Sequence, residues 1–131
     1  MKSTFFTEEP VTSALGVLSE KVLQRHLRSF DRNDLETLMM DYTDQSVLIT
    51  HDATYAGINE IRAFFVGLMN HFPKGHSTFE LVKRVIRDEL IFIVWHGTTP
   101  SLEVSMGTDT FIIKDGKIHQ QTFAGQMKFL N

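Results

Sequence analysis

His26 and Asp109 are the residues of this chain whose chemistry is hardest to assign to folding alone. An imidazole titrates near neutrality and a carboxylate accepts protons, so the pair has the composition for acid/base work. His26 falls in the middle of an apolar arc formed by Leu15, Leu18, Val22, Leu23, Leu27 and Phe30. Asp109 falls in a long β segment beside Phe111, on the parity of Ser105 and Gly107. A buried ionisable group is costly unless something pairs it or uses it. If both point into one cavity, the chain encloses a polar-lined pocket. Several arrangements stay open. The carboxylate can fix the imidazole tautomer and raise its basicity, as in a catalytic dyad. The two can form an inert internal pair. His26 can also be a core histidine bonded to a backbone carbonyl, and Asp109 can have a salt-bridge or hydroxyl partner at a rim.

Other side chains qualify by position. His51 and Asp52 lie in THDATYAG, where Asp52 shares parity with Thr50 and is equally suited to forming a turn. His119, Gln121 and Phe123 share one face of the last strand, and Ile118 and Thr122 share the other. Trp95 and His96 point to opposite faces of theirs. A tryptophan exposed on a sheet would be expensive for a monomer, so Trp95 is expected in a cavity wall or a buried interface. His71 and His76 have no carboxylate at ligand spacing, so no metal site is expected. No glycine-rich phosphate loop, nucleotide fingerprint or nucleophile elbow occurs, and no cofactor is expected.

These residues must be positioned by helices first and strands after. Thr12 or Ser13 is expected to cap a first helix through Phe30, with Lys21, Gln24, Arg25 and Arg28 on its polar side. Asn33 or Asp34 starts a short second helix to about Met40, with Leu35, Leu38 and Met39 inward. Tyr42 to Gln45 reads as a turn, Ser46 to Thr50 as a strand, and His51 to Gly57 as an irregular hairpin or loop. Asn59 is expected to cap a third helix with the stripe Ile61, Phe64, Phe65, Leu68, Met69 and Phe72, closed by Pro73-Lys74-Gly75. The period then changes to two. Strands are expected at Phe79–Arg87, Leu90–Thr98, Leu102–Ile113 and Ile118–Ala124, the last two joined by an Asp-Gly hairpin turn. Helices gathered before an antiparallel meander give an α+β domain. A strongly curved sheet covered by three helices makes a cone with its own interior.

The 131 residues are expected to form a single domain over 1–131, with a core over about 17–124. A net charge of -3 and scattered basic residues argue against nucleic acid as a partner. The absence of cysteine excludes disulfides, thiolate chemistry and cysteine-bound metal. MKSTFFTEEP lacks the apolar run of a signal peptide, and LIFIVW at 90–95 is too short to span a bilayer. The expectation is a cytoplasmic protein with no membrane partner. Eleven Phe and six Met suit adaptable, aromatic walls.

The element order and several local strings resemble the SnoaL-like branch of the nuclear transport factor 2-like superfamily. RHLRSFDRNDLETLMMDYTDQSVLIT resembles the family's opening helices, the turn before its first strand, and that strand. YAGINEIRAFF resembles the "G-x-x-x-I-R-x-F" start of its third helix, and GTDTFIIKDGKIHQQTF resembles its closing hairpin. The resemblance covers about residues 17–124 and implies the cone-shaped fold. It leaves activity open, since the superfamily includes isomerases, cyclases, dehydratases, hydrolases, ligand binders and dimerisation modules. In ketosteroid isomerase, the best-understood relative, a helix tyrosine and a protonated strand aspartic acid form the oxyanion hole, with a carboxylate base at the end of the first strand. By motif, the tyrosine position is His26, the strand acid is Asp109 and the base position is Thr50. The base is therefore missing, with Asp52 as a stand-in if the strand reaches it. The resemblance also directs Gln121 and Phe123 into the cavity and implies a dimer through the other sheet face.

Three functions are expected from this reading. One is proton transfer on a mostly apolar substrate, of isomerase, dehydratase or cyclase type. His26 would be the acid/base there, Asp109 its orienter or an oxyanion donor, and Asp52 and Gln121 auxiliary. The second is non-catalytic binding of a small apolar or aromatic ligand. The third is a structural dimerisation module with a vestigial cavity. Thr50, Phe65, Trp95, Phe111, Gln121 and Phe123 are the expected ligand contacts. A homodimer through the sheet is expected because its long strands are apolar on both parities.

Overall fold

The computed structural model describes residues 7–130. The first residues of MKSTFFTEEP therefore lie outside the described residues. The elements run β1 (Thr7–Glu8), α1 (Ala14–Asp31), α2 (Leu35–Met39), β2 (Val47–Thr50), β3 (Thr54–Ala56), α3 (Ile58–Asn70), β4 (Thr78–Arg87), β5 (Leu90–Thr98), β6 (Leu102–Lys114) and β7 (Lys117–Phe129). The strands form one sheet in the order β1-β4-β5-β6-β7-β2-β3. Strands β4 to β7 are an antiparallel meander, and β2 and β1 pair in parallel with β7 and β4. This is the α+β cone expected from the sequence. No helix among the described residues is long and apolar enough to cross a membrane.

Local chemistry sets the element ends. The Ser13 hydroxyl accepts from the Gly16 N–H and caps α1. Asp34 caps α2 through the Thr37 N–H. Asp115 and Gly116 both have positive φ, 52° and 73°, which turns β6 into β7. Helix α3 starts two residues earlier than an Asn59 cap would place it. Gly57, at φ 86°, is its N-terminal flank and supplies no side-chain cap. β7 runs to Phe129, beyond the expected end at Ala124, because Leu102–Met106 of β6 gives its extension a partner.

Helix α1 buries a different stripe from the one its leucines suggest. Ser19, Val22, Leu23, His26 and Ser29 are buried, while Leu15 and Leu18 are 46% and 52% exposed. The small residues let the helix lie close to the β4–β5 turn: the Ser19 hydroxyl donates to the Asp88 carbonyl. His26 belongs to the buried stripe by its own spacing, four residues from Val22 and three from Leu23.

Register shifts interrupt the pairing between Leu81 and Lys83, Trp95 and Gly97, Val104 and Met106, and Ile112 and Ile113. Each bulge bends its strand and increases the local twist, so the sheet curls around α1 and α3. The bulges also reset parity. Ser105, expected on the Asp109 side, is exposed while Val104 is buried. On β7 the bulge falls at His119, so Ile118 and Gln121 are both buried although they are of opposite parity.

Candidate functional site

The inner sheet face and the helices enclose a cavity of about 50 Å³. One water needs roughly 10–15 Å³ by this measure, so the space is several waters in size. His26 and Phe30 of α1, Phe64 and Phe65 of α3, Trp95 of β5, Asp109 and Phe111 of β6, and Gln121 and Phe123 of β7 line it, with Leu27, Leu68, Phe79 and Ile93. Phe64, Phe65, Trp95 and Phe111 form its wall, leaving space between them.

A hydrogen-bond chain runs along the wall. The Trp95 indole N–H donates to Asp109 Oδ1 at 2.8 Å. The Gln121 amide donates to Asp109 Oδ2 at 2.9 Å. The Tyr42 hydroxyl donates to Gln121 Oε1. These bonds fix which end of the Gln121 amide faces which neighbour. Gly107 makes the first of them possible. It pairs with Trp95 across the strands, and a Cβ there would lie 2.5 Å from the indole Cε2. The indole therefore lies flat over the glycine, stacked on Phe79 at 5.0 Å and Phe123 at 6.0 Å.

His26 is placed differently. Its ring meets Phe111, Phe65 and Tyr42 edge-on at 5.3, 5.9 and 6.2 Å. Its Nδ1 is buried and has no hydrogen-bond partner among the described residues. The reading of His26 as a core histidine satisfied by a carbonyl does not describe this ring. Asp109 does not orient it either, because no hydrogen bond or ion pair joins the two and both carboxylate oxygens are held by Trp95 and Gln121. The dyad and the inert internal pair are both set aside on that ground.

Burial reverses the usual order of the two groups. Desolvation lowers the His26 pKa from 6.5 to about 4. Desolvation raises that of Asp109 to about 6, against the opposing bonds from Trp95 and Gln121. The carboxylate, not the imidazole, is the stronger base in this cavity. Burial raises the Tyr42 hydroxyl well above its ordinary value, and the Asp109 and Asp41 charges push it the same way.

Thr50 and Asp52 are not brought to this site. Both belong to the β2–β3 hairpin, where Thr50 Oγ1 accepts from the Asp52 and Ala53 N–H groups. Asp52 is exposed and lies 3.3 Å from the His51 ring. The strand turns at His51, so Asp52 does not continue it inward, and its turn-forming role prevails. Tyr42 is the site residue that the sequence reading assigned to a turn. The stripe Leu35, Leu38 and Met39 continues to Tyr42 at the same helical spacing, which is the signal that could have found it. Among the described residues no group of three or more His, Asp or Glu side chains is placed to hold a metal.

The fold is shared with several solved structures. An NTF2-like protein of unknown function from Mesorhizobium loti superposes with a TM-score of 0.73 at 15% identity, covering 92% of this chain and 99% of that one. A candidate ketosteroid isomerase from Kribbella flavida gives 0.70 at 8% identity, over 88% and 82%. A candidate polyketide cyclase from Sinorhizobium meliloti gives 0.66 at 17% identity, over 79% and 93%. At these identities the likeness is one of fold. No curated protein matches the sequence. The family model for the SnoaL-like domain matches residues 23–121, which takes in α1 from Leu23 and the sheet as far as Gln121, and the chain therefore belongs to the SnoaL-like family of NTF2-like folds.

Proposed function

We propose that the chain binds a small, largely apolar molecule bearing a carbonyl or hydroxyl group and transfers a proton on it, in chemistry of the isomerase, dehydratase or cyclase type. One observation carries this reading: His26, whose Nδ1 is buried without a hydrogen-bond partner among the described residues, and Asp109, whose carboxylate is held only by neutral donors, line the same apolar cavity. Leaving a buried polar atom unpaired costs about 1–3 kcal/mol, which a ligand's polar group would recover. Near neutral pH Asp109 is mostly ionised and His26 is uncharged. Asp109 takes a proton from the carbon next to a ligand carbonyl. His26, in the tautomer protonated on Nδ1, donates to the oxygen where negative charge develops. Return of the proton to a different carbon completes an isomerisation. These roles exchange the base and the hydrogen-bond partner relative to the sequence expectation. Non-catalytic binding is the second reading, favoured by the two bonds that already restrain the Asp109 oxygens.

Deuterium exchange separates the two. Cyclic ketones incubated in heavy water with the protein should gain deuterium beside the carbonyl, and Asp109→Asn should abolish the gain. Binding without exchange would leave only the second reading. His26→Leu should keep or raise stability, since it removes an orphaned polar atom, while ligand binding collapses. Loss of stability with binding intact would overturn the role given to His26.

We also propose a homodimer through the outer sheet face. Val85, Phe92, Val94, Thr108, Thr110 and Ile112 share that face by register, and none is fully buried in the protomer. An apolar face of this kind suits a self-complementary contact. Sedimentation at micromolar concentration should give twice 15.0 kDa, and a clean 15.0 kDa species would overturn the proposal.

A further inference from the structure

A second cavity, of about 40 Å³, adjoins the first. Leu27, Phe30 and Phe79 line both, so these three apolar side chains stand between the two chambers, where a neck joining them would run. Every residue around the inner chamber is buried or half-buried, whereas exposed Asp31, Lys74, Gly75 and Thr78 border the outer one. The outer chamber is therefore the mouth. Polar groups stand at both ends of this path and the neck is wholly apolar. A molecule that fills both chambers must match that pattern.

The charges set its direction. Lys74, on the turn that closes α3, makes no ion pair or hydrogen bond among the described residues, while Asp31 across the mouth already has a partner. An anionic group in the inner chamber would face the Asp109 carboxylate in a low-dielectric space, where like charges repel strongly. The same group at the mouth keeps its water and meets a free ammonium.

We propose that the site takes an elongated amphipathic anion, with its hydroxyl or carbonyl head at His26 and Asp109, its apolar middle in the Leu27–Phe30–Phe79 neck, and a carboxylate-like tail at Lys74. This rests on the pocket reading above and adds to it the ligand's length, direction and charge.

Trp95, the only tryptophan of the chain, stands in the wall of the inner chamber and reports occupancy by its fluorescence. The probes are ω-(4-hydroxyphenyl)alkanoates over a graded series of chain lengths, each compared with its neutral primary amide. Past a threshold length the carboxylate should bind up to about fivefold more tightly than the amide, the upper end for an exposed ion pair, and less so at high salt. Lys74→Gln should remove that gain and leave amide affinity unchanged. No gain at any length, or a gain that survives Lys74→Gln, would overturn the inference while amide binding keeps the pocket reading intact. If no phenol perturbs Trp95, the pocket reading falls and this inference falls with it.

Discussion

Two buried aspartates show how one residue type serves two ends of this molecule. Asp41, fully buried beyond α2, has a cation: Arg25 Nε and Nη2 approach its Oδ1 at 2.7 and 2.5 Å. Asp109, in the cavity wall, has only the neutral donors of Trp95 and Gln121. Burial raises the pKa of both carboxyls, and for Asp41 the bond and charge of Arg25, with the charge of Lys117, pull it back. Asp41 is also tied through its backbone, where its carbonyl accepts from the Ile118 N–H at 2.7 Å and joins α2 to β7. A carboxylate neutralised by a cation holds elements together, and although Asp41 Oδ2 has no partner of its own among the described residues, Asp41 lies outside the lining of the cavity. A carboxylate held by neutral donors keeps its charge available at the site, and the fold bears the desolvation.

The comparison is most severely tested at Asp41. Asp41→Leu should destabilise the fold by about 3 kcal/mol, because it leaves Arg25 without its partner and cuts the α1–α2 tie. Arg25 is 41% exposed in its side chain and reaches water, which keeps the loss at the lower end of the range for broken buried pairs. Chemical denaturation reads the change, and a variant as stable as the parent would show that Asp41 is not a structural tie.

Gly107→Ala comes next. Its methyl group displaces the indole from Asp109, at a cost of about 1–3 kcal/mol in overpacking. The Trp95 emission should shift and ligand binding should weaken. An unchanged emission spectrum would mean that the indole is not seated on Gly107.

The pH dependence of stability distinguishes the two ionisable groups of the cavity. The raised Asp109 pKa means that the folded protein binds its proton more tightly than the unfolded chain, so this group's contribution is lost as pH rises from about 4 to about 6. The lowered His26 pKa acts oppositely, its contribution being lost as pH falls from about 6.5 to about 4. The two slopes nearly cancel in the parent. Relative to the parent, Asp109→Asn should lose stability towards low pH, and His26→Leu should lose it towards high pH, within this window. Parallel pH profiles for all three proteins would refute both assignments.

Asp52→Ala and Thr50→Val should change binding and turnover least. Both positions lie on the outer hairpin, and Asp52→Ala belongs with surface substitutions, within about 0.5 kcal/mol. Collapse of activity on either change would restore that hairpin to the site.

How much could be read in advance depended on the range of the interaction. The meander, the third helix and the inward position of His26 follow from periodicity, as does the shared face of Asp109 and Phe111, since i, i+3, i+4 and i, i+2 spacing place side chains on faces before any partner is known. Periodicity leaves open whether Trp95 faces the cavity or an interface. The stripe of α1 was legible only in part. Leu15 and Leu18 look inward by composition, but the close approach of the β4–β5 turn at Asp88 favours Gly16 and Ser19. Gln121 and Ile118 compete for one parity in the sequence, and a bulge at His119 admits both. Bulges are tertiary choices, made where curvature is needed, and leave no local signature here.

The sequence by itself determined the α+β order, the acidic charge balance, the absence of cysteine chemistry and the two polar residues among apolar neighbours. Only the tertiary structure decided what those residues became. It paired Asp109 with Trp95 and Gln121 rather than with His26, brought in Tyr42, and left Asp52 outside. It also reversed the basicity of the carboxylate and the imidazole. The physical reason is that a side chain's own type sets its ordinary pKa, while desolvation and its particular donors set the value at which it works. Those depend on contacts across β5, β6 and β7 that no local pattern encodes.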